Sequence, residues 1–83
     1  MSKVLTVTDT AQELEATPFA PGFNAVFVNN SGAAATLQGS ADGTTYTALA
    51  TAVATGTMTN VTLPRFVKLA AAGNNAYLLS GGN

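Results

Sequence analysis

The sequence predicts an all-β domain, a compact antiparallel β-sandwich or small barrel of about seven to eight short strands. Three observations carry this expectation. Short runs rich in Val, Leu, Thr, Phe and Tyr recur about every ten residues, as in all-β domains. Clusters of Gly, Asn, Asp, Ser or Pro separate them. No stretch repeats apolar residues at helical spacing over enough length to make a long helix.

The elements follow in chain order. Val4-Leu5-Thr6-Val7-Thr8 alternates, with Leu5 and Val7 on one face, and residues 1–8 form a strand or an extended arm. Asp9-Thr10 turns the chain into Gln12-Glu13-Leu14-Glu15-Ala16, a short edge strand or a single helical turn. Thr17 to Gly22 is an irregular connector whose prolines, Pro18 and Pro21, exclude both helix and central strand. Phe23 to Tyr46 then forms three strands joined by two tight turns. Asn29-Asn30-Ser31-Gly32 makes the first turn, with residues that tolerate positive φ, and Asp42-Gly43 makes the second.

Ala48 to Thr57 is rich in alanine, but its threonines and Val53 count against helix, leaving a strand end and a loop. Thr57 to Leu63 alternates, with Val61 and Leu63 on one face and Met58, Asn60 and Thr62 on the other. Pro64 interrupts it, so that the strand bends or bulges there, and Arg65 to Ala71 resumes as another strand. Gly73-Asn74-Asn75 turns the chain, Ala76 to Ser80 is the last strand, and 81–83 is a frayed tail.

All 83 residues belong to one domain, 1–83. A chain of this length buries only ~60 % of the surface its unfolded form exposes, and without cysteine it has neither disulfides nor thiolate metal sites to help. Association is the remaining common source of stability. Only 8 % of residues are charged, against about 25 % in an average soluble domain. Lys3, Arg65 and Lys68 face Asp9, Glu13, Glu15 and Asp42, and the net charge is -1. Such a surface repels copies of itself weakly and suits a subunit held in an assembly, where contact charges would have to be desolvated. Four of the charges lie in the first fifteen residues, which marks a solvated edge.

These residues exclude several chemistries. With no His and no Cys, the Ser-His and Cys-His nucleophilic systems and the usual zinc ligand sets are absent. Glu13 and Glu15 fall on one strand face, but so short a chain leaves little room for a glycosidase cleft, and the expectation is that the protein is not an enzyme. Asp9 and Asp42 lack neighbouring oxygen ligands at calcium-loop spacing, so no metal or other cofactor is expected. Three basic residues make no nucleic-acid stripe. No segment suits a membrane span or signal-peptide core, so a chain made and used without Sec export is expected. Asn29-Asn30-Ser31 and Asn60-Val61-Thr62 match the glycosylation sequon but serve as turn and strand residues.

Gly39-Ser40-Ala41-Asp42-Gly43-Thr44-Thr45-Tyr46, followed by the strand Arg65-Phe66-Val67-Lys68-Leu69, resembles small β-sandwich domains in the structural proteins of tailed bacteriophages, closest to capsid decoration, or cement, proteins. The resemblance covers roughly Phe23 to Leu69. It implies a virion protein, made in the bacterial host cytoplasm, that adds to the outer surface of an assembled head and clamps neighbouring subunits of the major capsid protein, as a homotrimer on the shell. The candidate contact residues are Lys3, Val4, Leu5, Thr6 and Val7, by edge pairing of that strand with a capsid strand, together with Arg65 and Lys68. Two other roles stay open. One is a tail, baseplate or fibre module; the other is a carbohydrate-binding or adhesive module using Tyr46, Tyr77, Phe19 or Phe23 as stacking platforms. With six aromatics in all, most are needed in the core.

Overall fold

The computed structural model describes residues 3–15, 19–71 and 75–80, which form eight strands in two antiparallel sheets, the all-β sandwich that the sequence predicts. In the first sheet β1 (Val4–Val7), β8 (Ala76–Ser80), β3 (Asn24–Asn29) and β6 (Met58–Thr62) lie side by side in that order. The second sheet has the order β2 (Gln12–Glu13), β7 (Phe66–Leu69), β4 (Ala35–Ser40) and β5 (Thr47–Val53). Pairing is nested: β4 with β5, β3 with β6, β2 with β7 and β1 with β8. The chain is thus one long two-stranded ribbon wrapped into a sandwich and closed by the β3–β8 and β4–β7 pairs. That is jelly-roll connectivity.

This topology corrects the expected first turn. β3 and β4 lie in different sheets, so Asn29 to Gly32 is a sheet-crossing corner and only the β4–β5 connection is a hairpin. Pro64 likewise separates strands of opposite sheets and does not bend one strand. The turn expected at Gly73 and Asn74, the residues Met1, Ser2 and Ala16, and the tail 81–83 lie outside the described residues.

Alternation decides what is inside. Leu5 and Val7 point inward from β1, and Val61 and Leu63 from β6 and the residue after it, as their spacing predicts. Phe27, Leu37, Leu69, Leu78, Val7 and Val67 are fully buried between the sheets. Gly39 takes an inward position in β4 because a methyl group there would collide with Pro64 Cγ and come within 2.7 Å of Leu49 Cδ1. The alanine-rich segment stays in β5 as far as Val53, with register shifts against β4 on either side of Leu37. Ala52 sits at φ 49° and donates its N–H to Thr36 Oγ1 at 2.9 Å.

Asn29 ties the sheet-crossing connections together. Its side chain is fully buried: Nδ2 donates to Ala33 O at 2.9 Å and Val53 O at 2.8 Å, and Oδ1 accepts the Ser31 N–H at 2.9 Å. Its backbone N–H donates to Thr57 O and its carbonyl accepts from Gly56 N–H. Ser31 Oγ in turn accepts the Asn75 N–H and donates to Asn75 O, while Asn30 N–H donates to the same carbonyl. The β3–β4, β5–β6 and β7–β8 connections therefore meet at one polar node. Asn is needed here for its amide, not for φ, since the positive-φ residues are Gly22, Gly43, Ala52 and Gly56.

The hairpin turn is closed by side chains. Ser40 Oγ donates to Asp42 Oδ1 at 2.8 Å and accepts the N–H groups of Asp42 and Gly43, while Asp42 Oδ1 accepts those of Thr44 and Thr45. Gly43 has φ +80°, and a Cβ on it would lie 3.2 Å from the Phe66 ring, so both backbone and space require glycine. The N–H groups of Thr44 and Thr45, then the Ser40 hydroxyl, hold the Asp42 carboxyl at about 2, below its ordinary 3.8.

Two predictions follow from these polar nodes. Asn29→Ala leaves one buried donor and two acceptors short of a partner and lowers stability by about 3 kcal/mol in urea unfolding followed by circular dichroism. Asn30→Ala, at an exposed side chain whose backbone bond survives, changes stability by less than about 0.5 kcal/mol; equal effects would assign no special weight to the buried amide. Asp42 favours the folded state in its ionised form, so its contribution is full above the ordinary value of 3.8 and is lost as pH falls through about 2. Wild type is therefore more stable than Asp42→Asn at pH 6, and thermal melts of the two converge as the pH approaches 2.

Candidate docking surface

The two outward faces of the sandwich differ in charge. The second sheet presents Glu13, Phe66, Lys68 and Gln38 on adjacent strands, with Arg65 at the start of β7. Arg65 Nε donates to Glu13 Oε2 at 2.6 Å, Nη2 reaches the same oxygen, and the guanidinium lies 5.6 Å from the centroid of the Phe66 ring. Lys68 Nζ lies 4.8 Å from the centroid of the Tyr46 ring. This face is a set of internal cation–carboxylate and cation–π contacts. Both cations are occupied within the chain.

The first sheet presents no charge among its described outward residues. Register aligns them in rows across the strands. Val4, Leu79, Val26 and Asn60 form one row, and Thr6, Tyr77, Val28 and Met58 form the next. Val4 and Met58 are each 64 % exposed, and Val26, Tyr77 and Leu79 are half-buried. Thr62 Oγ1 donates to Asn24 Oδ1 at the end of the sheet, so its polar border is satisfied internally. Contiguous uncharged apolar faces are where interaction surfaces are sought in small domains, which makes this face the candidate. It offers desolvation and dispersion to a partner and no electrostatic steering.

The structure divides the candidate contact residues. Val4 and Thr6 belong to the uncharged face, whereas Arg65 and Lys68 belong to the opposite sheet. Leu5 is half-buried against the core on the inward side of β1, and Val7 is 1 % exposed, so neither belongs to the outward face. Lys3 holds β8 through its backbone, donating to Ser80 Oγ and accepting from Ser80 N–H. Edge pairing along the whole of Lys3 to Thr8 is also restricted. Thr6 O already accepts from Gln12 Nε2 and Thr8 O from Leu69 N–H. Removing residues 2–8 would take Val7 out of the core and β1 off β8, so Lys3 to Val7 is part of the folded domain and not a detachable arm.

Alternation placed Met58 on the face opposite Val61 and Leu63, and Tyr77 was a candidate platform, but sequence reasoning missed Val26 and Leu79 as outward residues of the same face. The signal was present: β3 and β8 are apolar on both faces, whereas a sheet with one solvated face alternates. Only Phe27 of the six aromatics is fully buried, which corrects the expectation that most serve the core. Phe23 is 47 % exposed, Tyr46 and Tyr77 are half-buried, and Phe19 packs against the edge of the core. Of the two sequons, Asn29 is buried in the corner and Asn60 is exposed on β6. Glu13 is engaged by Arg65, and among the described residues no three acidic side chains gather in one place. Comparison with family models, with curated proteins and with solved structures returns no match.

Proposed function

We propose that this chain is a structural virion protein that binds the outer surface of an assembled phage head and stabilises contacts between subunits of the major capsid protein. The observation that carries the reading is the uncharged apolar face of the first sheet, with Tyr77, Leu79 and Val26 on its central strands and Val4 beside them on the edge, and no element among the described residues covering it. A small domain with such a face gains stability when the face is covered, by mass action. Many copies on one shell act multivalently, so each contact needs only modest affinity. Jelly-roll connectivity agrees with this role without selecting it, because the same architecture serves viral capsids, lectins and cupins. A glycan platform on the second sheet has less support. The Tyr46 ring carries the Lys68 ammonium, and Phe66 lies against Gly43 and the Arg65 guanidinium.

The test is antibody labelling of particles from the source culture under the electron microscope, with copies counted by quantitative mass spectrometry. Dense, regular head label is expected, and purified protein should rebind stripped heads. Val4→Glu with Tyr77→Glu places two carboxylates on the uncharged face. This variant should keep its circular dichroism spectrum and lose at least tenfold in head binding. Label confined to the tail, or absent from particles, would overturn head decoration in favour of a tail module or a non-virion role.

A further inference from the structure

Each sheet has two edge strands, and the four edges are built differently. β2 is two residues long and carries Glu13, which is tied to Arg65. β5 is shifted in register on either side of Leu37 and bent by the positive φ of Ala52. β1 lies between Lys3 and Asp9, and the Thr6 and Thr8 carbonyls are occupied by Gln12 and Leu69. Short length, bulges, charge and occupied carbonyls all keep an edge from pairing with another chain. β6 has none of these. Its register with β3 is unbroken from Met58 to Thr62, it contains no proline, and no charged residue occurs anywhere between Asp42 and Arg65.

The hydrogen-bond pattern fixes which groups β6 offers. Leu63 N–H donates to Phe23 O and Asn29 N–H donates to Thr57 O, so the odd-numbered residues of this strand bond to β3. By the alternation of an antiparallel ladder, the N–H and C=O groups of Met58, Asn60 and Thr62 point away from it. These three residues are symmetric about Asn60.

We propose that β6 pairs antiparallel with β6 of a second copy of this chain, across a two-fold axis at Asn60. The pairing sets Asn60 opposite its own counterpart and Met58 opposite Thr62, so every outward backbone group finds a partner and none is left over. The contact is isologous and brings no like charges together. Each first sheet continues into its copy, and the row Val4, Leu79, Val26, Asn60 runs across the axis into the same row reversed. A three-fold ring would require two different edges to meet, and the other edges are the obstructed ones. The pairing does not depend on any shell and stands apart from the head-binding proposal.

Sedimentation equilibrium of the purified protein tests it, with amide hydrogen exchange as a second readout. At about 100 μM the expected mass is twice the 8.3 kDa of one chain. Asn60→Lys, which sets two ammonium groups opposite each other at an exposed position, should give a monomer with an unchanged circular dichroism spectrum. The amides of Met58, Asn60 and Thr62 should exchange at least tenfold more slowly in wild type than in Asn60→Lys. Val4→Glu with Tyr77→Glu, placed on the strands away from β6, should remain dimeric even as it loses head binding. A wild-type monomer, a trimer, or a dimer that survives Asn60→Lys overturns the proposal. So does a wild-type dimer whose three β6 amides exchange as fast as those of exposed loops, whether or not Asn60→Lys folds.

Discussion

The buried amide of Asn29 is the constraint on which the rest of the fold depends. In a jelly roll nearly every connection passes from one sheet to the other, and here only the β4–β5 link stays within a sheet. Each crossing takes backbone groups off the ladders at the end of the sandwich, where they must find other partners or carry a desolvation cost. Four crossings leave from the same end, β1–β2, β3–β4, β5–β6 and β7–β8, and Asn29 with Ser31 and Asn75 supplies bonds to the last three. Because the amide both donates twice and accepts, it fixes the spacing of the β3–β4 and β5–β6 corners together. The two halves of the ribbon are thereby held in register at the point where the ribbon changes sheets.

The hairpin at the opposite end solves a different problem. It is the one local pairing in the chain, and its turn is closed by bonds among Ser40, Asp42 and their neighbours alone. Its contact with the body of the domain is Gly43 on the Phe66 ring, which Arg65 covers from β7 and which Glu13 reaches through that arginine from β2. Few charges are available to this chain, and two of its three cations are spent on this sheet. The outcome is a division of the surface. Charges gather around β1, β2, β7 and the hairpin turn, and the flank formed by β5 and β6 has none.

The strands were legible in the sequence and their partners were not. Alternation in Val4 to Thr8 and Thr57 to Leu63 specifies an inner face whichever strand lies alongside, and the inner residues Val7, Val61 and Leu63 follow from it directly. Pairing is another matter. Asn29-Asn30-Ser31-Gly32 has the composition of a hairpin turn, and nothing local distinguishes a turn that returns beside its strand from a corner that changes sheet. The distinction is made by contacts distant in sequence, Val53, Thr57 and Asn75 among them. The candidate docking surface was half legible. β1 was singled out for its position and alternation, which identified Val4 and Thr6, but Leu5 and Val7 share the strand and face the core. Arg65 and Lys68 drew attention as rare charges, and rarity is better explained by the internal partners Glu13 and Tyr46.

Nested pairing links the surface to folding. The uncharged face combines the first and last strands of the ribbon, β1 and β8, with β3 and β6 from its middle. Val4, Tyr77 and Leu79 come together only once β1 has docked on β8, and that pair is the one whose strands are furthest apart along the chain. Closing so long a loop has an entropy cost that the local hairpin avoids. A partner that covers this face therefore binds the fully closed sandwich and not an open ribbon, and its binding energy adds to the stability of the most distant pairing. In this small chain the pairing with the longest loop to close and the uncharged face share the strands β1 and β8.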